Sequence, residues 1–403
     1  MSPRRILIAD HVSKVLGGAE VNVVELLGHP ELALRWQVTV ACAPGSPLDS
    51  ALAAMGVDRV PYGFAPALNE LRVVGRSFSP WAKVKGLLEL QRATGTLREL
   101  ISRLKPEAVL TPTNKDHFAA GAAAARSGIP SVWWVNDLLT PEFFGWPIRR
   151  AFSHKARRLA SRLAPVSQAG ADALVRLGVP RQRIRTILNG IPLDRYVRDA
   201  KRPLRAQLDL APREPLIGVV GRITPWKGQE LFLQIAEQWI ASGRAGRFVI
   251  IGRAFNEDAP FEQQLRSRVA QAPLHGRVSM VPFQSDIAAA LSSLDVLLHT
   301  SLKPEPFGRV LIESMAVGTP VVAAGAGGVT AILTSDIDGL VVPLGDAGAY
   351  LNSLRRLLDD APGTRLLTEA ARETVQERFS LDRVFGDFER LFKELAQTEG
   401  VRR

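Results

Sequence analysis

Two glutamates, Glu305 and Glu313, bracket the run EPFGRVLIE, in which a polar turn gives way to an apolar helical pattern. The helix is expected to open near Phe307 and to end by Gly318, so Glu305 precedes it and Glu313 falls in its second turn. Helical side chains lean back toward the N-terminus, which lets both carboxylates face one ligand. The amides of about Gly308 to Leu311, reinforced by the helix dipole, form an anion site that Gly308 allows a phosphate to approach closely. Spacing alone proves nothing here. Glu99 with Glu107, and Glu369 with Glu377, are separated by the same seven residues. The second pair belongs to a four-residue stripe on a solvated helix face, and the first straddles a helix end at Pro106. What distinguishes Glu305 and Glu313 is the Pro-Phe-Gly between them and the apolar strand that follows.

A second stretch, VVGRITPWKGQE, ends a strand at Gly221 and places Arg222 and Lys227 in the loop before a helix beginning around Gly228. Two cations at that end of a strand can neutralise a leaving diphosphate. Charge-assisted bonds of this kind are worth roughly 1.5 to 3 kcal/mol each, and more where charge builds in a transition state. A third stretch, SKVLGGAEVNVVELL, follows the first strand and opens a helix at Gly17 and Gly18, where backbone can come close to a ligand. No GxGxxG fingerprint is present, which counts against a plain NAD enzyme. Asp336-Ile337-Asp338 has the form of a metal motif, but it precedes Gly339 between helix and strand and reads as a turn. No His, Cys and acidic cluster elsewhere has metal-ligand spacing, so no bound metal is expected.

Taken together, these runs resemble glycosyltransferase family 4. A strand, Ser301, the run from Glu305 to Gly308, Glu313, the MAVGTPVV segment and the Gly327-Gly328 loop stand in the order of that family's donor site. The resemblance is strong from about 217 to 343, moderate over 164 to 196, and weak elsewhere in the first half. It implies that Glu313 binds the ribose hydroxyls and Glu305 faces the donor sugar. Phe307 and the amides near Gly308, Val310 and Leu311 would line the diphosphate or sugar, Arg222 and Lys227 would hold the diphosphate, and Gly17 and Gly18 would lie beneath it. At the end of SVWWVND, where the family commonly has a histidine on the donor sugar, the matching residue is Asn136, which can hydrogen-bond but cannot act as a base. His117, in TNKDHF, is the candidate substitute, with Asp116 beside it.

The implied activity is transfer of a sugar from a nucleoside diphosphate, UDP or GDP, to an acceptor hydroxyl with retention, in cell-surface glycan or lipid-linked saccharide synthesis. The departing diphosphate would itself take the acceptor proton, so no carboxylate pair flanking the anomeric carbon is required. No cofactor is expected beyond the nucleotide-sugar substrate. Rival readings are another enzyme of the same architecture, such as a phosphorylase or a nucleotide-sugar epimerase. A phosphorylase would carry a pyridoxal phosphate lysine signature, which is not found.

The elements that must position these residues alternate short β-branched runs with longer helical patterns. Ile6 to Ala9, Val38 to Ala41, Ala108 to Leu110, Val132 to Val135 and Ala164 to Val166 are the expected strands of the first half. Ile217 to Val220, Phe248 to Ile251, Val278 to Val281, Val296 to Leu298, Val321 to Ala323 and Leu340 to Val342 are those of the second. This rhythm predicts an α/β chain with two Rossmann-like parallel-sheet domains, the GT-B architecture, facing a central cleft. The expected division is 1–195 for the acceptor, 196–380 for the donor, and a helix over 381–403 packing back toward the first domain. At 403 residues the length suits two cores.

Composition adds the surroundings. Residues 1 to 195 carry 26 Lys and Arg against 15 Asp and Glu, while 196 to 403 carry 25 of each, so the whole excess of +11 sits in the first half. Pro147 to Arg162 contains six lysines and arginines and no acid, and Arg76 to Lys105 interleaves Trp81, Val84, Leu87 and Leu88 with basic residues. Either can meet an anionic membrane surface or a lipid-linked saccharide. The basic runs lack aromatic stacking platforms and no nucleic-acid motif appears, so no nucleic-acid partner is expected. A single cysteine, Cys42, no signal-like apolar start and no uninterrupted apolar span predict a cytoplasmic protein, peripheral on the membrane at most.

Overall fold

The computed structural model describes residues 3–12, 16–64 and 80–400. Arg76, which opens the second basic stretch, and the side chain of Trp81 lie outside the described residues. Two compact units divide the chain: Met1–Gly190 together with Leu381–Arg403, and Ile191–Ser380.

The first unit holds a parallel sheet with six strands among the described residues: β1 (Arg4–Asp10), β2 (Trp36–Cys42), β3 (Asp58–Pro61), β4 (Ala108–Thr111), β5 (Ser131–Val135) and β6 (Arg162–Pro165). Their spatial order is β3-β2-β1-β4-β5-β6, so the chain winds outward one way from β1 and then the other way from β4. Ile6 is flanked by Val38 and Ala108 in register. Ile6, Leu7, Ile8 and Ala9 are all buried, because helices cover both faces of a parallel sheet and the strand must be apolar on both sides. The helices used below are α1 (Gly18–Leu27), α2 (Pro80–Leu104), α3 (Asn114–Arg126) and α4 (Trp146–Leu159). Gly121 lets α3 settle on the sheet, since a Cβ there would lie 2.8 Å from Trp133 Nε1.

In the second unit, β7 (Leu216–Val220), β8 (Arg247–Ile251), β9 (Val278–Val281), β10 (Val296–His299), β11 (Val321–Ala324) and β12 (Leu340–Val342) form another parallel sheet. Its order, β12-β11-β10-β7-β8-β9, repeats the first topology, with the reversal between β7 and β10. Helices α5 (Gln229–Ala241), α6 (Arg309–Val317) and α7 (Ala347–Asp359) belong to it. Trp239, Phe232, Phe248, Tyr350 and Leu354 fill its core.

The final helix, α8 (Leu381–Gly400), belongs to the first unit. Its Phe385, Phe388 and Phe392 surround Trp36 at ring separations of 5.1, 6.5 and 5.1 Å. The indole of Trp36 also donates to Glu389. Cys42 is buried in the same unit, and burial pushes its thiol up to about 11, which makes it an inert core residue. Among the described residues, no helix is long and apolar enough to cross a membrane.

Candidate functional site

Ligands of wound α/β sheets bind beyond the carboxyl ends of the strands where the strand order reverses. In the second unit that place lies between the ends of β7 and β10. Arg222 and Lys227 follow β7, and Ser301 and Glu305 follow β10.

Close backbone packing holds the two loops together. Gly228 has φ +72°, and a Cβ there would lie 1.9 Å from the Thr300 carbonyl oxygen, so only glycine fits. The Leu302 amide donates to the Trp226 carbonyl at 2.8 Å, and Thr300 Oγ1 to the Lys227 carbonyl at 3.2 Å. Glycines press from the other side as well. The Gly328 amide donates to the Glu305 carbonyl at 2.7 Å, and a Cβ on Gly327 would lie 2.2 Å from that oxygen. This contact gives the Gly327-Gly328 loop its role: it clamps the backbone of Glu305.

Three donors converge on Glu305 Oε1: Lys227 Nζ at 2.5 Å, Ser301 Oγ at 2.5 Å and His299 Nε2 at 3.0 Å. Burial alone would raise the Glu305 carboxyl, but Lys227 and His299 outweigh it and hold the group well below the usual carboxylate range. With Nε2 donating, the other ring nitrogen, His299 Nδ1, is buried with no hydrogen-bond partner among the described residues. Arg222 lies with its guanidinium 5.1 Å from the Phe255 ring centre, and its carbonyl accepts from Gln229 at 2.9 Å.

Helix α6 begins immediately after Gly308, which sits at φ +104°. The first-turn amides of a helix have no intrahelical acceptor. That of Leu311 turns back to the Gly308 carbonyl at 2.9 Å, and the Leu311 side chain is buried. Val310 occupies the second helical position. The Phe307 ring is buried and packs 5.9 Å from the Phe379 ring centre. Glu313 accepts from Arg309 Nε at 2.7 Å and from Tyr196 OH at 3.1 Å. Tyr196 lies 117 positions away in sequence, which is why spacing gave no hint of it.

Burial separates this glutamate pair from its two look-alikes. Glu305 and Glu313 are 4% and 7% exposed, whereas Glu107 and Glu369 make long surface pairs with Arg4 and Arg365, both at 3.8 Å. Asp336 and Asp338 form a turn. Asp336 has φ +67° and pairs with Arg356, while Asp338 accepts from the Thr334 amide at 2.7 Å and from Thr374 at 3.0 Å.

In the first unit, the Gly17 amide donates to Glu20 Oε2 at 2.6 Å, and a Cβ on Gly17 would crowd that oxygen at 2.8 Å. Gly18 opens α1 with free space around it. Asn136 follows β5, donating to the carbonyls of Pro112 at 3.1 Å and Trp134 at 3.2 Å and accepting from Asn22 at 3.3 Å. His117 lies in the core of the first unit. It is 1% exposed, stacks on Trp133 with ring centres 5.0 Å apart, and bonds Thr111 Oγ1 at 2.7 Å. Burial pushes its imidazole down to about 3, so the ring is a neutral part of the core. Its neighbour Asp116 instead joins Asp10 and His11 in a group whose ligand-type atoms lie within 4.8 Å of one another. Sequence spacing hid this group, because His11 and Asp116 are 105 positions apart.

Comparison with known proteins follows the same division. Residues 16–195 match the family model described as Glycosyltransferase Family 4, and residues 200–374 match Glycosyl transferases group 1. The 2-deoxystreptamine glucosyltransferase of Streptomyces kanamyceticus is 27% identical over 381 residues, covering 88% of this chain and 93% of that protein. The D-inositol 3-phosphate glycosyltransferase of Nocardia farcinica is 32% identical over 206 residues, 50% of this chain, and the chain spans only 46% of that relative's length. Among solved structures, Anabaena Alr3699/HepE in complex with UDP and glucose superposes with a TM-score of 0.82 at 22% identity, covering 97% of this chain and 100% of that one. At that identity the likeness concerns the fold alone.

Proposed function

Because this chain belongs to glycosyltransferase family 4 and has the GT-B fold, we propose that it transfers a sugar from a nucleoside diphosphate to an acceptor hydroxyl with retention at the anomeric carbon. The observation that carries this reading is the pair formed by half-buried Lys227 and buried Glu305 beside the start of α6, at the reversal of the second sheet. A cation and a helix N-terminus at one place suit a diphosphate, and carboxylates close by suit sugar hydroxyls.

In this reading Lys227, Arg222 and the opening amides of α6 bind the diphosphate and stabilise it as it departs. Glu313 accepts from the ribose hydroxyls, and Glu305 orients Lys227 and faces the sugar. Residues 196–380 serve the donor, and residues 1–195, with the helix over 381–403, serve the acceptor. The charge of the diphosphate is met by side chains and amides, so the reading calls for no resident metal or cofactor. UDP is the first nucleotide to try, since the Anabaena protein binds it, and GDP the second. Thermal shift against UDP, GDP and ADP, then release of the matching nucleoside diphosphate with candidate acceptors and NMR of the product anomer, tests the reading. No stabilisation by any of the three nucleotides would sink it.

The basic first unit favours a saccharide or lipid-linked acceptor at an anionic membrane surface. Trp146, at the start of the basic helix α4, is 63% exposed, and Val84, Leu87 and Leu88 are exposed on α2. Co-sedimentation with vesicles should show more protein bound to anionic than to neutral lipid. Equal binding would argue against docking by charge.

A further inference from the structure

Glu313 is held by one of its two oxygens. Arg309 opens α6 and Glu313 follows one turn later, while Tyr196 comes just after the single turn Leu193–Arg195, all within the second unit. Arg309 Nε donates to Glu313 Oε1 at 2.7 Å, Tyr196 OH donates to the same oxygen at 3.1 Å, and Arg309 Nη2 donates to Tyr196 OH at 3.2 Å. A guanidinium can only donate, so the tyrosine hydroxyl accepts from Arg309 and directs its own proton to Glu313. The three side chains thus close a ring of hydrogen bonds on Oε1. Oε2 accepts from none of the described residues.

As a helix-stabilising pair, Arg309 and Glu313 are the wrong way round. A cation in the first turn of a helix opposes the helix dipole, and Arg before Glu at a four-residue spacing is the less favourable order. An arginine that pairs with a carboxylate for its own sake commonly takes both oxygens in a fork. Arg309 instead divides its N–H groups between one oxygen and the Tyr196 hydroxyl. The group is also largely withdrawn from water, since the side chains of Arg309 and Glu313 are only 14% and 9% exposed and Tyr196 is buried. Ordering three polar side chains in this way leaves one carboxylate oxygen for a partner that brings its own donors. Two adjacent hydroxyls, as on a ribose, are such a partner.

We infer that Tyr196 and Arg309 are positioning residues that give the donor site its preference for ribose over deoxyribose. The inference rests on the donor reading above, in which Glu313 meets the ribose hydroxyls. With Oε1 fixed, the carboxylate cannot turn about its own axis, and Oε2 meets the 2′- and 3′-hydroxyls in a constant orientation. A site built to accept from hydroxyls rejects an analogue that lacks them, because its acceptor is then left unpaired. Neither Tyr196 nor Arg309 touches the reacting atoms. Their effect falls on binding of the nucleoside, which ground state and transition state share, so it belongs in KM and not in kcat.

The test is calorimetric titration of the full chain with UDP and 2′,3′-dideoxy-UDP, or with GDP and its dideoxy analogue where GDP stabilises the chain more. Wild type should prefer the ribonucleotide by at least about tenfold, and Tyr196→Phe, which keeps the ring, should bring that preference below about threefold. Arg309→Met should erode it likewise, and Arg309→Lys should retain more of it than Arg309→Met. With the identified donor and acceptor, KM for the donor should rise in Tyr196→Phe while kcat changes by no more than about threefold. In a Glu313→Gln background, Tyr196→Phe should cost less than about twofold further, since the group it positions is gone. An undiminished preference in Tyr196→Phe, or an equal loss with and without Glu313, would overturn the positioning role, and a preference lost in Glu313→Gln alone would leave the donor reading standing. Equal binding of both nucleotides by wild type would remove the ribose contact and this inference with it. No binding of UDP or GDP would sink the donor reading itself.

Discussion

Lys227 Nζ lies 2.5 Å from Glu305 Oε1, joining the loop after β7 to the loop after β10 across the reversal of the second sheet. The cation expected at the diphosphate and the carboxylate expected at the sugar are therefore one unit. In the proposed reading an incoming diphosphate shares the ammonium with Glu305.

Lys227→Ala should lower turnover by about 100- to 1000-fold, the usual loss when one preorganised charge-stabilising group is removed. It should also sensitise the protein to acid. The folded value of Glu305 is depressed, so its stabilising contribution is complete above the unfolded value of about 4.3 and is lost as pH falls through the lower folded value. Without Lys227 the folded value rises, and acid unfolding followed by circular dichroism should move to higher pH. An unchanged midpoint would show that the pair contributes no such linkage.

Glu313→Gln should weaken nucleoside diphosphate binding by about 10- to 100-fold, because the carboxylate proposed to accept from the ribose hydroxyls becomes an amide with one accepting oxygen. Calorimetric titration is the measurement. Wild-type affinity in this variant would remove Glu313 from the donor site.

Gly228→Ala should destabilise the protein by at least about 2 kcal/mol, since it combines a left-handed backbone with a Cβ 1.9 Å from the Thr300 carbonyl. Gly18→Ala is the control. With nothing within 4 Å of its Cβ, it should stay within about 0.5 kcal/mol of wild type in urea unfolding. Similar losses in both would disprove the clamp around Thr300.

His117→Phe should leave turnover within about threefold of wild type and change the pH dependence of stability. The folded value is about 3 against about 6.5 unfolded, so as pH falls below the unfolded value the unfolded chain takes up a proton that the native core refuses. Stability then falls by about 1.4 kcal/mol per pH unit from this group. Urea unfolding at pH 7, 6 and 5 should show that slope in wild type and a shallower one in the variant. Identical slopes would mean that the buried ring does not set it.

The strands of the second unit were legible because burial on both faces leaves short apolar runs, as in Ile217 to Val220 and Phe248 to Ile251. β3 was not, since its Asp-Arg-Val-Pro sequence lies at the sheet edge with little buried surface. Residues of the donor segments could be found where they sit in contiguous runs. The Lys227–Glu305 contact could not, because 78 positions separate the partners and Gly228 against Thr300 brings them together. In TNKDHF the two neighbouring candidates part. Successive helix residues point about 100° apart, so Asp116 turns to His11 while His117 turns into Trp133.

The aromatic cover of Trp36 comes from Phe385, Phe388 and Phe392, and all of Ile191–Ser380 is synthesised between them. Order of synthesis and order of assembly therefore differ. The second unit is synthesised in full before the helix that completes the first. A nascent chain that ends before Leu381 lacks this aromatic cover of Trp36, so completion of the first unit follows completion of the second.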